Sequence, residues 1–176
     1  MKLKKGFVQI YTGNGKGKTT AAIGQAIRAL GHGFTVYLTQ FMKNYPYGEL
    51  NILKTLAPQI EIKRWGNDRF VFKKQAPSAE LIAEMSEGLA QARQAMLSLK
   101  YDLVILDEVL VSIYFKLLTK EQVIDFIKQK PTGVELILTG RYCPKEITEL
   151  ADLVTEMKEV KHYFNTGVLA RKGIEN

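Results

Sequence analysis

The chain has 176 residues, of which 46% are hydrophobic and 24% charged, the make-up of one globular domain rather than of a disordered or membrane-spanning chain. No uninterrupted apolar run is long enough to cross a bilayer, and the single cysteine, Cys143, excludes an internal disulfide and fits a reducing cytoplasm. The formal net charge of +7 admits polyanionic ligands, but beyond the short arm Lys2, Lys4 and Lys5 no Lys/Arg block exists, so neither nucleic acid nor a membrane is an expected partner.

The basic start is followed by a strand-like stretch with no small-residue cleavage site, so no signal peptide is read there. Residues 7–11 form a buried strand, a glycine-rich turn follows, and a helix over 19–30 is stopped by Gly31-His32-Gly33. A second strand over 34–41 is rich in aromatic and β-branched side chains. A helix over 49–57 ends before Pro58, and 60–65 is a short strand. Residues 66–77 are polar and irregular around Phe70, Val71 and Phe72. The helix over 79–97 carries Leu81, Ile82, Met85, Leu89, Ala92, Met96 and Leu97 near one face. Residues 103–107 make a buried strand ending in carboxylates, and Thr119 with Gln122 start a helix over 119–128 with a capping box. A strand over 136–139, a turn through Pro144, a helix to Ala151, a strand over 153–157 and a tail without clear periodicity complete the chain.

This alternation predicts an α/β fold, three layers around a mainly parallel sheet of about six strands in one domain over residues 1–176, and the glycine-rich turn Gly13-Asn14-Gly15-Lys16-Gly17-Lys18-Thr19 between the first strand and helix makes it of the P-loop NTPase-like, RecA-like kind.

Thr12-Gly13-Asn14-Gly15-Lys16-Gly17-Lys18-Thr19-Thr20 lies between a strand and a helix, the context a phosphate loop requires. Glycines let the backbone turn its N–H groups around an anion, and the helix start adds a partial positive charge. Lys18 reaches phosphate oxygens and the Thr19 hydroxyl binds Mg2+ or Mn2+, both of which accept hard oxygen ligands. The usual spacing puts the first glycine at position 12, where Thr12 stands, so this loop is one residue shorter, and Lys16 adds a second charge. Asp107 and Glu108 end a hydrophobic strand at the edge where ligands of such sheets bind. Neighbouring strand residues point oppositely, so only one of the two faces the metal, and the alternation does not say which; Glu108 is assigned there together with Thr19. Arg141, ending another strand at that edge, can contact a phosphate or an anionic substrate.

The string from Thr12 to Ala22 resembles the P-loop class of ATP:corrinoid adenosyltransferases. So do Arg28-Ala29-Leu30-Gly31-His32-Gly33, Gln40-Phe41, Gly48-Glu49, Leu106-Asp107-Glu108, Thr139-Gly140-Arg141, Val160-Lys161-His162, Gly167-Val168 and Gly173-Ile174. The shifted first glycine is a feature of that class. The resemblance implies transfer of the 5′-deoxyadenosyl group of ATP to the Co(I) of a reduced corrinoid, release of triphosphate, and a place in cobalamin biosynthesis or salvage. It further implies a homodimer, an electron-donating flavoprotein reductase as partner, and an ATP that lies in the opposite sense to that of most P-loop enzymes. It sets Asn14 and Arg28, with Gly13, Gly15, Lys16, Gly17, Lys18, Thr19 and Thr20, at the nucleotide, and Lys18, Glu108 and Arg141 in catalysis.

Cobalt(I) is itself a strong nucleophile, so no Ser/His/Asp or Cys/His constellation is needed, and none is read. The protein has to hold C5′ near cobalt and stabilise the charge growing on the leaving triphosphate. In the family, two aromatics in a Phe-x-Trp pattern displace the lower axial ligand of the corrinoid. The matching positions here are Phe70-Val71-Phe72, with phenylalanine in place of the tryptophan; the other reading is that both phenylalanines cover the core. His32 and His162 have no cysteine or acidic ligand pattern around them and receive no catalytic role. Two other classes remain: a RecA-like nucleotide-driven motor, for which no long basic stripe is present, and a small kinase, whose lid would carry several arginines where residues 66–77 hold only Arg69.

Overall fold

Six strands form one sheet in the order β3-β2-β4-β5-β1-β6. They are β1 (Val8–Thr12), β2 (Val36–Phe41), β3 (Ile60–Trp65), β4 (Leu103–Asp107), β5 (Glu135–Thr139) and β6 (Leu153–Glu156). Every neighbouring pair is parallel, so each connection must cross over the sheet and both faces are covered. The computed structural model describes residues 3–67, 69–72 and 75–175, and the side chains of Phe70 and Phe72 fall outside that description.

Strand periodicity divides the core in two. Leu38, Leu103, Ile105 and Ile137 point to the face covered by α1 (Lys18–Gly31), where Ala22, Ala26, Ala29 and Leu30 meet them. Tyr37, Phe41, Val104, Leu106, Leu136 and Leu138 point to the other face. There, Met85, Leu89 and Met96 of α4 (Ala79–Leu97), Leu110 of α5 (Val109–Tyr114), Phe126 of α6 (Lys120–Lys128) and Ile147 of α7 (Lys145–Thr148) close the third layer. The three-layer parallel α/β architecture is as the sequence predicts.

The differences are local. The helix expected over 49–57 is α2 (Glu49–Leu53) followed by a 3-10 turn, Lys54–Leu56. The irregular stretch 66–77 contains a single helical turn, α3 (Arg69–Phe72). Helix α5 was not anticipated: Val109, Val111 and Ile113 are β-branched, and propensity disfavours a helix there. Tertiary context overrides it, because Val109, Leu110 and Ser112 are buried against the end of the sheet. The capping box of α6 is present, with Thr119 Oγ1 accepting from the Gln122 amide and the Gln122 side chain accepting from the Thr119 amide.

Candidate active site

The carboxyl ends of β1, β2, β4 and β5 lie side by side, and each delivers one part of the site. After β1, Gly13 takes φ +98° and Gly17 φ +122°, so the chain turns tightly into α1. The loop leans on the segment after β6. A side chain at Gly13 or Gly15 would meet the Met157 carbonyl at 2.5 or 2.7 Å, which explains glycine at both positions. The Gly15 amide donates to that same carbonyl at 2.7 Å, so this N–H faces Met157, not an anion.

Helix α1 opens without a side-chain cap and without an acid in its first turn, which leaves its amides and dipole to a negatively charged ligand. Lys18 is almost wholly buried and its ammonium spans the loop, donating to the carbonyls of Gly13 at 2.8 Å and Gly15 at 2.7 Å. Burial pushes its pKa below the ordinary lysine value, with the Glu108 charge opposing the shift.

The two acids at the end of β4 divide the work. Asp107 is fully buried, and its Oδ1 accepts from Thr19 Oγ1 at 2.9 Å and from Thr139 Oγ1 at 2.7 Å. Its Oδ2 accepts from Lys43 Nζ at 2.7 Å and Gln40 Nε2 at 3.1 Å. Burial alone would raise the Asp107 carboxyl, but the Lys43 charge and these hydrogen bonds outweigh it and hold the pKa below the usual range. Glu108 follows with φ +62° and its amide donates to Thr139 Oγ1 at 2.9 Å. Its side chain lines the cavity beside Lys18, Thr19 and Arg141. Burial, and then the charge of Asp107, push its carboxyl upward. The acid bonded to the Thr19 hydroxyl is therefore Asp107, while the acid facing the cavity is Glu108.

A cavity of about 550 Å³ covers the loop and is lined by Gly15, Lys16, Gly17, Lys18, Thr19 and Thr20, with Lys43, Glu108 and Arg141 opposite. A second cavity of about 710 Å³ adjoins it, and Lys43, Tyr47, Glu108, Arg141 and His162 line both. The second is the more apolar, with Phe41, Met42, Val71, Val111 and Phe115 in its wall. Val71 belongs to the single turn α3, so the segment predicted to cover a second substrate does border this cavity. The roles of Phe70 and Phe72 rest on side chains outside the described residues.

Two of the expected nucleotide residues lie apart from the phosphate cavity. Arg28 sits in the last turn of α1, ten residues or about 15 Å beyond Lys18 at the helical rise. It lines a separate small cavity with Gln25, His32 and Phe34 and donates to Gln25 at 3.2 Å. The cause is helix length: a side chain at the C-terminal end of α1 cannot return to its start. Asn14 is exposed at the loop tip and does not line the phosphate cavity.

One residue of the site carries no local sequence signal. Lys43, just past β2, bridges Thr19 Oγ1 at 2.8 Å and Asp107 Oδ2 at 2.7 Å. The only hint in the sequence is its place beyond the end of a predicted strand. His162 reaches both cavities through a tail that folds back on the loop. In that tail the Ile174 carbonyl and Glu175 carboxylate each accept from Lys16 Nζ at 2.8 Å.

The donors around Thr19 fit a small divalent cation. They are hard oxygens, and the ammonium between Thr19 and Asp107 marks a place where positive charge is favoured. Gln40 Oε1, buried beside Asp107, has no hydrogen-bond partner and can accept from a metal-bound water. Among the described residues no cluster of three or more His, Cys, Asp or Glu exists, so such an ion would take most of its ligands from phosphate and water.

A parallel sheet with a glycine loop and helix start at its carboxyl edge defines a P-loop nucleotide-binding protein. A KaiC-like protein from the archaeon Pyrococcus horikoshii OT3 shares the fold, with a TM-score of 0.56 at 16% identity over 98% of this chain and 77% of that one. Residues 4–176 match the family described as ATP:corrinoid adenosyltransferase BtuR/CobO/CobP. Corrinoid adenosyltransferase CobA of Salmonella typhimurium is 37% identical over 173 residues, covering 98% of this chain and 86% of that protein. A corrinoid adenosyltransferase of Pseudomonas aeruginosa is 32% identical, covering 98% and 84%. The chain belongs to the ATP:corrinoid adenosyltransferase family.

Proposed function

We propose that the protein transfers the 5′-deoxyadenosyl group of ATP to the Co(I) of a reduced corrinoid and releases triphosphate. The observation that carries this reading is the pair of adjoining cavities: a phosphate-binding one on the loop, and a larger, more apolar one sharing Lys43, Glu108 and Arg141 with it. A hydrolase or motor needs only the first; a group transfer between two bulky substrates needs both.

In this reading the α1 amides, Lys16, Lys18 and Thr20 hold the triphosphate, and Arg141 adds a planar cation at the junction of the cavities. Thr19, with Glu108 facing the same space, would hold Mg2+ or Mn2+, which supplies charge neutralisation at the phosphates. Phe70 and Phe72 would close over the corrinoid and displace its lower ligand. The enzyme works as a homodimer in the cytoplasm, supplied with electrons by a flavoprotein reductase. In support of a dimer, Leu153 and Val154 of the edge strand β6 are exposed.

The test is anaerobic incubation with ATP, Mg2+ and chemically reduced cobalamin, following the Co(I) absorbance and the released anion. Light-sensitive adenosylcobalamin with stoichiometric triphosphate supports the reading. ADP or phosphate without a corrinoid product overturns it.

A further inference from the structure

Lys43 occupies the position of a cation. Its ammonium lies 2.8 Å from Thr19 Oγ1 and 2.7 Å from Asp107 Oδ2, its side chain is 11% exposed, and the ring of Tyr47 lies 5.2 Å away. A divalent ion using the Thr19 hydroxyl cannot share these oxygens with an ammonium at hydrogen-bond distance, because two like charges that close repel strongly. The space open to a displaced Lys43 side chain is the junction of the two cavities, both of which it already lines.

That junction is where the reaction must occur. The transferred carbon is bonded to triphosphate in the first cavity and must meet cobalt in the second. In the displacement the Co(I) electron pair forms the Co–C5′ bond and the C5′–O bond breaks. The released pair stays on the triphosphate oxygen, cobalt becomes formally Co(III), and no proton is required. One negative charge therefore grows on an oxygen at the junction.

We propose that Lys43 is a catalytic residue: it yields Thr19 to the metal–nucleotide complex and then pairs with the leaving oxygen of triphosphate. This rests on the adenosyl-transfer reading above, so wild-type turnover is measured first. In Lys43→Gln, kcat falls about a hundredfold or more, the loss typical of a donor aimed at developing charge, while the Kd for ATP stays within about threefold. Lys43→Arg restores a large part of kcat. Mn2+ alone, titrated by electron paramagnetic resonance, binds Lys43→Gln about tenfold more tightly than wild type, because no ammonium has to be displaced. If Lys43→Gln does not fold, the same kcat step is read between Asp107→Asn and the Asp107→Asn/Lys43→Gln double variant, in which neither charge is left buried alone. Wild-type kcat in Lys43→Gln, an equal fall in kcat with arginine in place, or unchanged Mn2+ affinity overturns the proposal. Failure of wild type to adenosylate cobalamin sinks the functional reading instead, and the Mn2+ titration still decides whether Lys43 guards the cation position.

Discussion

Thr19 Oγ1 donates to Asp107 Oδ1 at 2.9 Å, tying the first turn of α1 to the end of β4. Through Asp107 this contact extends to Thr139 on β5 and to Gln40 and Lys43 on and after β2. Four pieces of chain are thereby held in register around one buried carboxylate.

Removing that carboxylate is expected to be costly. Asp107→Ala leaves Lys43 buried without its counter-charge and should lower unfolding stability by about 3–5 kcal/mol, read by urea denaturation. Asp107→Asn keeps the shape and part of the hydrogen bonding and should cost less. Equal stability of Asp107→Ala and wild type would mean that this network does not hold the site.

Lys18→Ala removes both the phosphate contact and the brace across the loop carbonyls of Gly13 and Gly15. Loss of a charge-assisted contact of about 1.5–3 kcal/mol predicts ATP binding weaker by roughly ten- to hundredfold, measurable by isothermal titration calorimetry. Near-normal ATP affinity and turnover would refute the assignment of the loop.

Phe72→Ala tests the segment that borders the second cavity. ATP affinity should be unchanged, while reaction with a corrinoid carrying a lower ligand should slow relative to one lacking it. If the variant instead loses the roughly 3–5 kcal/mol expected of a core phenylalanine, Phe72 covers the core and the ligand-displacing role is wrong.

The tail has its own pH signature. The Glu175 carboxyl is held far below the ordinary glutamate value by Arg171, then by Lys16 and Tyr163. A depressed folded-state pKa means that the docked tail is fully favoured above the ordinary range and is released only as pH falls through the lowered value. The Glu175 carboxyl resonance should therefore show no titration between about pH 6 and pH 4, where a free glutamate protonates. A midpoint near the ordinary glutamate value would show that the tail is not held on Lys16. Glu175→Gln should raise amide exchange in residues 160–175.

Much of this protein is local in origin. Gly13 to Thr20 spell a tight turn into an uncapped helix start, and the backbone freedom of glycine decides that geometry within a few residues. The apolar strands 7–11 and 103–107 and the periodic helix 79–97 are equally legible, because their burial follows from side-chain spacing along one element. From these, a phosphate-binding three-layer fold could be read from the chain alone. Its resemblance to the adenosyltransferases rested on the loop from Thr12 to Ala22 and on short motifs spread along the chain from Arg28 to Ile174.

What the sequence left open depends on distance in the chain. Which acid meets Thr19 was undecided, because strand alternation gives opposite directions but not absolute ones. The answer, Asp107, is 88 positions from Thr19. Lys43 meets Thr19 across 24 positions and Asp107 across 64, and no periodicity marks it. Arg28 is near the loop in sequence but an entire helix away from it in space. Helix α5 forms against its own β-branched propensity because burial at the sheet edge outweighs a few tenths of a kcal/mol per residue, about the scale of such preferences. The sequence by itself determined the phosphate loop and the layers; the strand order, which sets β4 between β2 and β5, decided which charges meet, because only packing brings side chains from separate crossovers to one edge.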